Sequence, residues 1–173
     1  MSRSLAACQG ALLLVDATKG VQAQTVANFW LAYEQELAVT AAINKVDLPH
    51  ANVEGTLEQM GAIFDIEAAD TLAISAKTGS GVPSLLSALI ARTPPPPASA
   101  AAPLRVLLFD SWYDDYRGVL SLVQVLDGEL RPDTELLSAA SGAVYTVGSI
   151  EMMRPLGAVP LPSLGAGMVG CVA

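Results

Sequence analysis

Apolar residues in the first half of the chain follow two patterns, continuous aliphatic runs and runs with helical spacing. The continuous runs cover residues 11–15, 38–43 and 72–74, and they are typical of strands buried on both faces. The runs with apolar residues three or four positions apart cover residues 26–33, 52–64 and 82–90. Because strands and amphipathic helices alternate, the pattern predicts an α/β fold with a parallel sheet covered by helices.

The second half of the chain follows a period of two instead. Asp127-Gly128 lies between two apolar runs, and such a pair favours a tight hairpin. Several short strands without helices predict an antiparallel β-barrel. We expect this barrel to be incomplete, because the chain stops directly after another apolar stretch. The predicted strands cover residues 104–109, 119–126, 136–137 and 144–150.

A stretch rich in proline and alanine separates the two patterns. Residues 94–103 contain four consecutive prolines and another proline at position 103. Such a sequence cannot continue a helix or donate to a sheet, and it favours an extended spacer. The sequence therefore predicts an α/β domain over residues 1–93, a linker over 94–103 and a partial β-barrel domain over 104–173.

Composition restricts the classes of partner. The 173 residues carry a formal net charge of −8, which argues against a broad surface for nucleic-acid phosphates. Hydrophobic residues make up 52% of the chain, which is enough for a core. No uninterrupted apolar run reaches the roughly 18 residues of a membrane span, so we expect no transmembrane segment.

Two short polar motifs directly follow two of the predicted strands. They are Asn44-Lys45-Val46-Asp47 and Ser75-Ala76-Lys77. In open α/β sheets, ligands bind at the carboxyl ends of the strands. The residue types suit a guanine base, because the Asp47 carboxylate can accept hydrogen bonds from N1 and from the N2 amino group together. Adenine cannot supply that pair of donors.

The other motif residues can complete such a site. Asn44 can bond toward the other edge of the base, the Lys45 stem can lie along the ring face, and the Ala76 N–H can donate to guanine O6. Charge-assisted hydrogen bonds are worth roughly 1.5–3 kcal/mol each, so losing two of them rejects the wrong purine. In the alternative interpretation, the motifs are ordinary strand-to-helix loops in which Asp47 and Ser75 serve only as helix caps. The predicted guanine site comprises Asn44, Lys45, Asp47, Ser75, Ala76 and Lys77.

Several other stretches also carry a resemblance to a known family. They cover residues 2–8, 11–17, 20–25 and 110–119. With the base-reading motifs, and with an α/β domain joined to a small barrel, they are similar to the LepA-type elongation factor 4 family of translational GTPases, particularly its mitochondrial members. The resemblance covers essentially the whole chain.

This resemblance implies a ribosome-dependent GTPase that remodels ribosomes with misplaced tRNA, in a back-translocation or fidelity role. It implies GTP and GDP, the ribosome and tRNA as partners, and peripheral association with the mitochondrial inner membrane. The implied location is the matrix side of mitochondria, with plastids and the bacterial cytoplasm as alternatives.

The chain departs from the family in the segments that bind phosphate and hydrolyse GTP. It contains no GxxxxGK[ST] loop, no matching switch threonine and no Asp-x-Pro-Gly-His segment. Its single histidine, His50, is interpreted as a solvated loop residue. We therefore expect no catalytic residue and no metal ligand here, with Mg²⁺ bound only by the full-length protein and no GTP hydrolysis by this fragment alone. The alternative function is a non-catalytic remnant or partner-binding module that neither binds nor hydrolyses GTP appreciably.

Overall fold

The computed structural model describes residues 2–155 and 157–173, and it contains two compact units. One unit comprises Cys8–Pro94 with Ser2, and the other comprises Pro95–Ala173 with Arg3–Ala7. A short helix, α1, covers Ser2–Leu5.

The first unit is built on a parallel sheet. Its strands are β1 (Gly10–Asp16), β2 (Ala38–Asn44) and β3 (Leu72–Ala73), in the order β1-β2-β3. The register of β1 and β2 runs from Gly10 opposite Ala38 to Asp16 opposite Asn44. The continuous aliphatic runs therefore form adjacent parallel strands, as the sequence predicts.

Helices cover both faces of this sheet. They are α2 (Ala23–Tyr33), α3 (Val53–Phe64) and α4 (Val82–Arg92), with a short 3-10 turn at Ala68–Asp70. On one face, Phe29 of α2 and Met60 of α3 pack in the same cluster as Ile43. On the other face, Leu85 of α4 packs with Ala42 and Ile74. The predicted helix-covered α/β architecture is confirmed.

Strand β1 lies at one edge of the sheet and, among the described strands, pairs with β2 alone. Leu13 and Val15 are buried in the core. Leu12 and Leu14 point to the opposite face, because side chains alternate along a strand, and they are 40% and 47% exposed. The face that α4 covers over β2 is therefore open over β1.

The second unit is formed mainly by antiparallel strands. They are β4 (Arg105–Asp114), β5 (Gly118–Asp127), β6 (Glu129–Leu130), β7 (Glu135–Leu137), β8 (Val144–Thr146), β9 (Ile150–Arg154), β10 (Gly157–Pro160), β11 (Leu164–Gly165) and β12 (Val169–Val172). The largest sheet has the order β10-β9-β12-β5-β4, and smaller sheets pair β11 with β6 and β7 with β8. Val125, Leu130 and Leu164 are buried in its core. The predicted antiparallel region after the parallel sheet is confirmed.

The predicted hairpin at Asp127-Gly128 is wrong. Strand β5 ends at Asp127 and pairs with β4 and β12, while β6 pairs with β11. The Asp127 carboxylate accepts hydrogen bonds from Ser99 N (3.0 Å) and Arg105 Nε (2.6 Å). At Gly128, where φ is +74°, a Cβ would lie 2.9 Å from the Leu104 Cα. The Asp-Gly pair therefore accommodates a neighbouring segment at close range rather than a two-residue turn.

The predicted strand over residues 144–150 is interrupted. Strand β8 ends before Val147, whose N–H donates to Thr134 O (3.0 Å). The next N–H, of Gly148, donates to Ala173 O (2.8 Å), and β9 then pairs with β12 and β10. A single apolar run therefore contributes one strand, β8, to the sheet with β7, and leads directly into β9 of the largest sheet.

Candidate guanine-binding site

The two predicted base-reading motifs lie side by side at the carboxyl edge of the parallel sheet. Asn44 is the last residue of β2, and Ser75 follows β3 closely. The Asn44 side chain joins the two loops, because its Oδ1 accepts hydrogen bonds from Lys45 N (2.8 Å) and Ala76 N (3.0 Å). A single side-chain oxygen thus fixes the spacing of the two motifs.

The backbone of Lys45 is strained. Its φ of +68° lies in the left-handed region, which costs a residue with a Cβ roughly 1–2 kcal/mol. The Asn44 Oδ1 bond to Lys45 N and the bond from Val46 N to Ile74 O (3.3 Å) hold the turn in place. Strain of this kind persists where surrounding contacts over-determine the backbone, and it concentrates at ligand-binding sites.

Ser75 orients the carboxylate of Asp47. Ser75 is 1% exposed, and its hydroxyl oxygen accepts a hydrogen bond from Thr78 N (3.1 Å). The same hydroxyl donates to Asp47, and this bond, with a smaller contribution from the Lys77 charge, holds the pKa of the Asp47 carboxyl below its ordinary value. Asp47 itself is exposed, so an oriented, charged acceptor faces solvent.

The arrangement offers a carboxylate acceptor, an amide side chain and an aliphatic stem at one edge of the sheet. The Lys45 side chain is 50% exposed, which leaves its stem accessible to a planar ligand. The Ala76 N–H donates to Asn44 in this structure, so a base carbonyl at the predicted O6 position would share or replace that bond. Lys77 is exposed in the loop that follows Ser75.

Sequence reasoning missed Asp16 as a member of this cluster. The Lys45 Nζ lies 2.7 Å from Asp16 Oδ2. Lys45, followed by the hydroxyl and backbone N–H of Thr18, holds the pKa of the Asp16 carboxyl well below its usual range. The signal that could have found Asp16 is its position at the end of β1, directly opposite Asn44 in the register.

The described residues contain no group of three or more His, Cys, Asp or Glu arranged to hold a metal ion. His50 is exposed in the loop after the first motif.

Across residues 2–155 and 157–173, none of the helices combines the length and apolar character that crossing a bilayer requires.

The sequence matches the family model of the elongation factor Tu GTP binding domain over residues 1–95, which is more than half of the chain. The chain therefore belongs to this family of GTP-binding domains.

Curated relatives refine the comparison. The chain is 48% identical over 172 residues to the mitochondrial translation factor GUF1 of Fusarium vanettenii, a match that covers 99% of this chain and 27% of the relative. It is 50% identical to GUF1 of Phaeosphaeria nodorum and 48% identical to the mitochondrial GUF1 homolog of Sorghum bicolor, with 99% of this chain and 26% of each relative covered. These are mitochondrial factors of the LepA type, so the predicted family resemblance is confirmed. The chain spans about a quarter of the length of these relatives.

Proposed function

We propose that this chain carries the base-recognition half of the GTP site of a ribosome-dependent translational GTPase that acts in mitochondrial protein synthesis. The observation that carries the proposal is the convergence of both motifs on the Asn44 Oδ1 atom, beside the exposed, charged carboxylate of Asp47. Membership of the GTP-binding domain family and likeness to mitochondrial translation factors support it.

Each motif residue has a role in this proposal. Asp47 accepts the N1 and N2 hydrogens of guanine, and Ser75 keeps that carboxylate charged and oriented. The Lys45 stem packs against the ring face, since its side chain is half exposed. Asn44 bonds toward the other edge of the base through its amide group and sets the distance between the loops. Ala76 and Lys77 close the pocket.

The remaining chemistry belongs to the full-length protein. These 173 residues contain no GxxxxGK[ST] loop, which holds the β- and γ-phosphates in P-loop GTPases. In the proposal, Mg²⁺ binding, GTP hydrolysis and its stimulation by the ribosome use other parts of the protein. The implied role is the remodelling of ribosomes with misplaced tRNA, as back-translocation or fidelity control, on the matrix side of mitochondria and in peripheral contact with the inner membrane.

The missing phosphate loop also favours a second candidate for the chain on its own. Phosphate contacts supply much of the affinity for a nucleotide, so a chain without them could serve as a non-catalytic remnant or a partner-binding module. The two candidates differ in one property, because only a working base site distinguishes guanine from other purines.

Substitution of Asp47 tests the base assignment. Xanthine replaces the N2 amino donor of guanine with a carbonyl, and an Asn side chain can donate to that carbonyl. We expect the wild-type chain to prefer guanosine over xanthosine, and Asp47→Asn to shift this preference toward xanthosine by roughly tenfold or more. NMR titration with each nucleoside measures both affinities.

Asp115→Asn is the matched control, because Asp115 is exposed on the second unit. An unchanged nucleoside preference in Asp47→Asn would show that Asp47 does not read the base. If the wild type binds neither nucleoside with any preference, the second candidate is favoured.

A further inference from the structure

Asp16 lies outside both base-reading motifs but is bound to one of them. Its Oδ2 atom is 2.7 Å from the Lys45 Nζ. The Asp16 side chain is 21% exposed, compared with 50% for Lys45. The ion pair therefore has one partner that is largely enclosed and one that extends over the surface.

The carboxylate of Asp16 is fixed independently of Lys45. Its other oxygen, Oδ1, accepts hydrogen bonds from Thr18 N (2.8 Å) and Thr18 Oγ1 (2.7 Å). The backbone carbonyl of Asp16 accepts from Lys19 N (3.1 Å) and Gly20 N (2.9 Å), which closes the turn after β1. Oδ2 is thereby held in a set position for the lysine ammonium group.

Lys45 is consequently held at both ends. The backbone N–H of Lys45 donates to Asn44 Oδ1 (2.8 Å), and the ammonium group of Lys45 pairs with the Asp16 carboxylate. The aliphatic stem between these two points loses most of its rotamer freedom, which in a free lysine is worth about 1.5–2 kcal/mol. A stem that is already ordered costs less to immobilise under a ligand.

We propose that Asp16 is a positioning residue of the guanine site, which holds the Lys45 stem in place to pack against the base. The inference rests on the proposed function of Lys45. Because the Lys45 partner is half exposed, the ion pair contributes little to folding stability, so the effect of Asp16 is expected in base binding rather than in stability. Because the pKa of Asp16 is lowered by Lys45 and Thr18, the carboxylate stays charged at neutral pH.

A double-mutant cycle with guanosine as the probe tests this inference. The variants are Asp16→Asn, Lys45→Met and the combination of both, with Asp115→Asn as the control. Asp16→Asn retains an oxygen for the Thr18 bonds, and Lys45→Met keeps an aliphatic stem without the charge. NMR titration of the 173-residue chain gives the affinity for guanosine, and adenosine provides the comparison base.

We expect Asp16→Asn to weaken guanosine binding about fivefold in the wild-type background and to have no further effect in the Lys45→Met background. A role of Asp16 in the fold alone would weaken binding equally in both backgrounds, and that result would overturn the inference. Unchanged affinity in Asp16→Asn would overturn it as well.

The affinity of Lys45→Met and the preference of the wild type for guanosine over adenosine distinguish the remaining outcomes. If Asp16→Asn does not fold, Lys45→Met alone decides, because wild-type affinity in that variant would show that the held ammonium group has no role. If the wild type fails to prefer guanosine over adenosine, the proposed base site fails, and the inference fails with it. Guanosine preference in the wild type with no effect of Asp16→Asn rejects only the role of Asp16.

Discussion

At the scale of single residues, the place of the two motifs at the edge of the sheet could be predicted, and the contacts that support their side chains could not. Asp47 and Asn44 are predicted as base-binding residues because each residue type suits guanine and follows a predicted strand. The bond from Ser75 to Asp47 and the ion pair from Asp16 to Lys45 depend on which strands are neighbours. Sequence spacing along one chain does not contain that information.

The bond between Ser75 and Asp47 leads to a prediction about pH. Because the folded pKa of Asp47 is depressed, the stability that this carboxylate contributes is complete above its ordinary pKa and is lost as the pH falls through the folded pKa. We expect Ser75→Ala to raise the pKa of Asp47 toward the ordinary value of 3.8. A carbon-detected NMR titration of the carboxyl group measures this shift.

Ser80→Ala is the matched control for that titration. Ser80 lies in the same loop and contributes its backbone carbonyl, which accepts from Ser75 N (2.9 Å). This bond survives the substitution, so the pKa of Asp47 should stay at its wild-type value. A Ser75→Ala variant that also keeps the wild-type pKa would mean that the hydroxyl does not orient Asp47.

At the scale of elements, the strands and helices of the first unit could be predicted because their apolar periodicity is local. The two incorrect predictions, both in the second unit, occur where a segment contacts another segment that is distant along the chain. Asp127-Gly128 has the composition of a hairpin, but Arg105 and Ser99 bind its carboxylate. The run at residues 144–150 is divided because the N–H of Gly148 donates to the carbonyl of Ala173, which is distant along the chain.

Helix α3 offers a test of the local contributions. Asn52 is its N-cap, and the side chain accepts a hydrogen bond from Gly55 N (2.9 Å). Asn52→Ala leaves that N–H without its partner, and we expect it to lower the free energy of unfolding of the first unit by about 1 kcal/mol. Urea unfolding followed by Trp30 fluorescence, with Trp112→Phe in every variant, reports on this unit.

The N-cap of α2 provides the comparison for that measurement. Gln22 makes no side-chain capping bond, so Gln22→Ala should change the free energy of unfolding by a few tenths of a kcal/mol at most. Equal losses in the two variants would contradict the assignment of the Asn52 cap as the source of the stability.

At the scale of the whole molecule, the first unit has an open side. Strand β1 is an edge strand without a charged residue before Asp16, and two of its own side chains, Leu12 and Leu14, are exposed. An exposed apolar edge is a template for pairing with another chain. The sequence predicts the strand itself, whereas its edge position follows from the sheet order.

We therefore expect the 173-residue chain to self-associate in a concentration-dependent manner through β1. Size-exclusion chromatography with light scattering should give masses above the 17.9 kDa of a monomer. Leu14→Lys should reduce this association, because a charge at an edge strand disfavours pairing.

Ile90→Lys is the control that tests whether a lysine at any exposed apolar position reduces the association. Ile90 is 82% exposed and belongs to α4 rather than to the edge strand β1, so its substitution should leave the association unchanged. A monodisperse wild-type monomer with a cooperative thermal transition would show that the open edge has no such effect.

The shared oxygen of Asn44 has a further consequence for how the first unit comes apart. Lys45 and Ala76 belong to loops that are distant in the chain, yet their backbone N–H groups depend on the same atom. A rotation of the Asn44 side chain breaks both bonds in one event, so the loosening of one loop is coupled to that of the other. The two loops at the edge of the sheet that carries Asp47 therefore share one step of local opening.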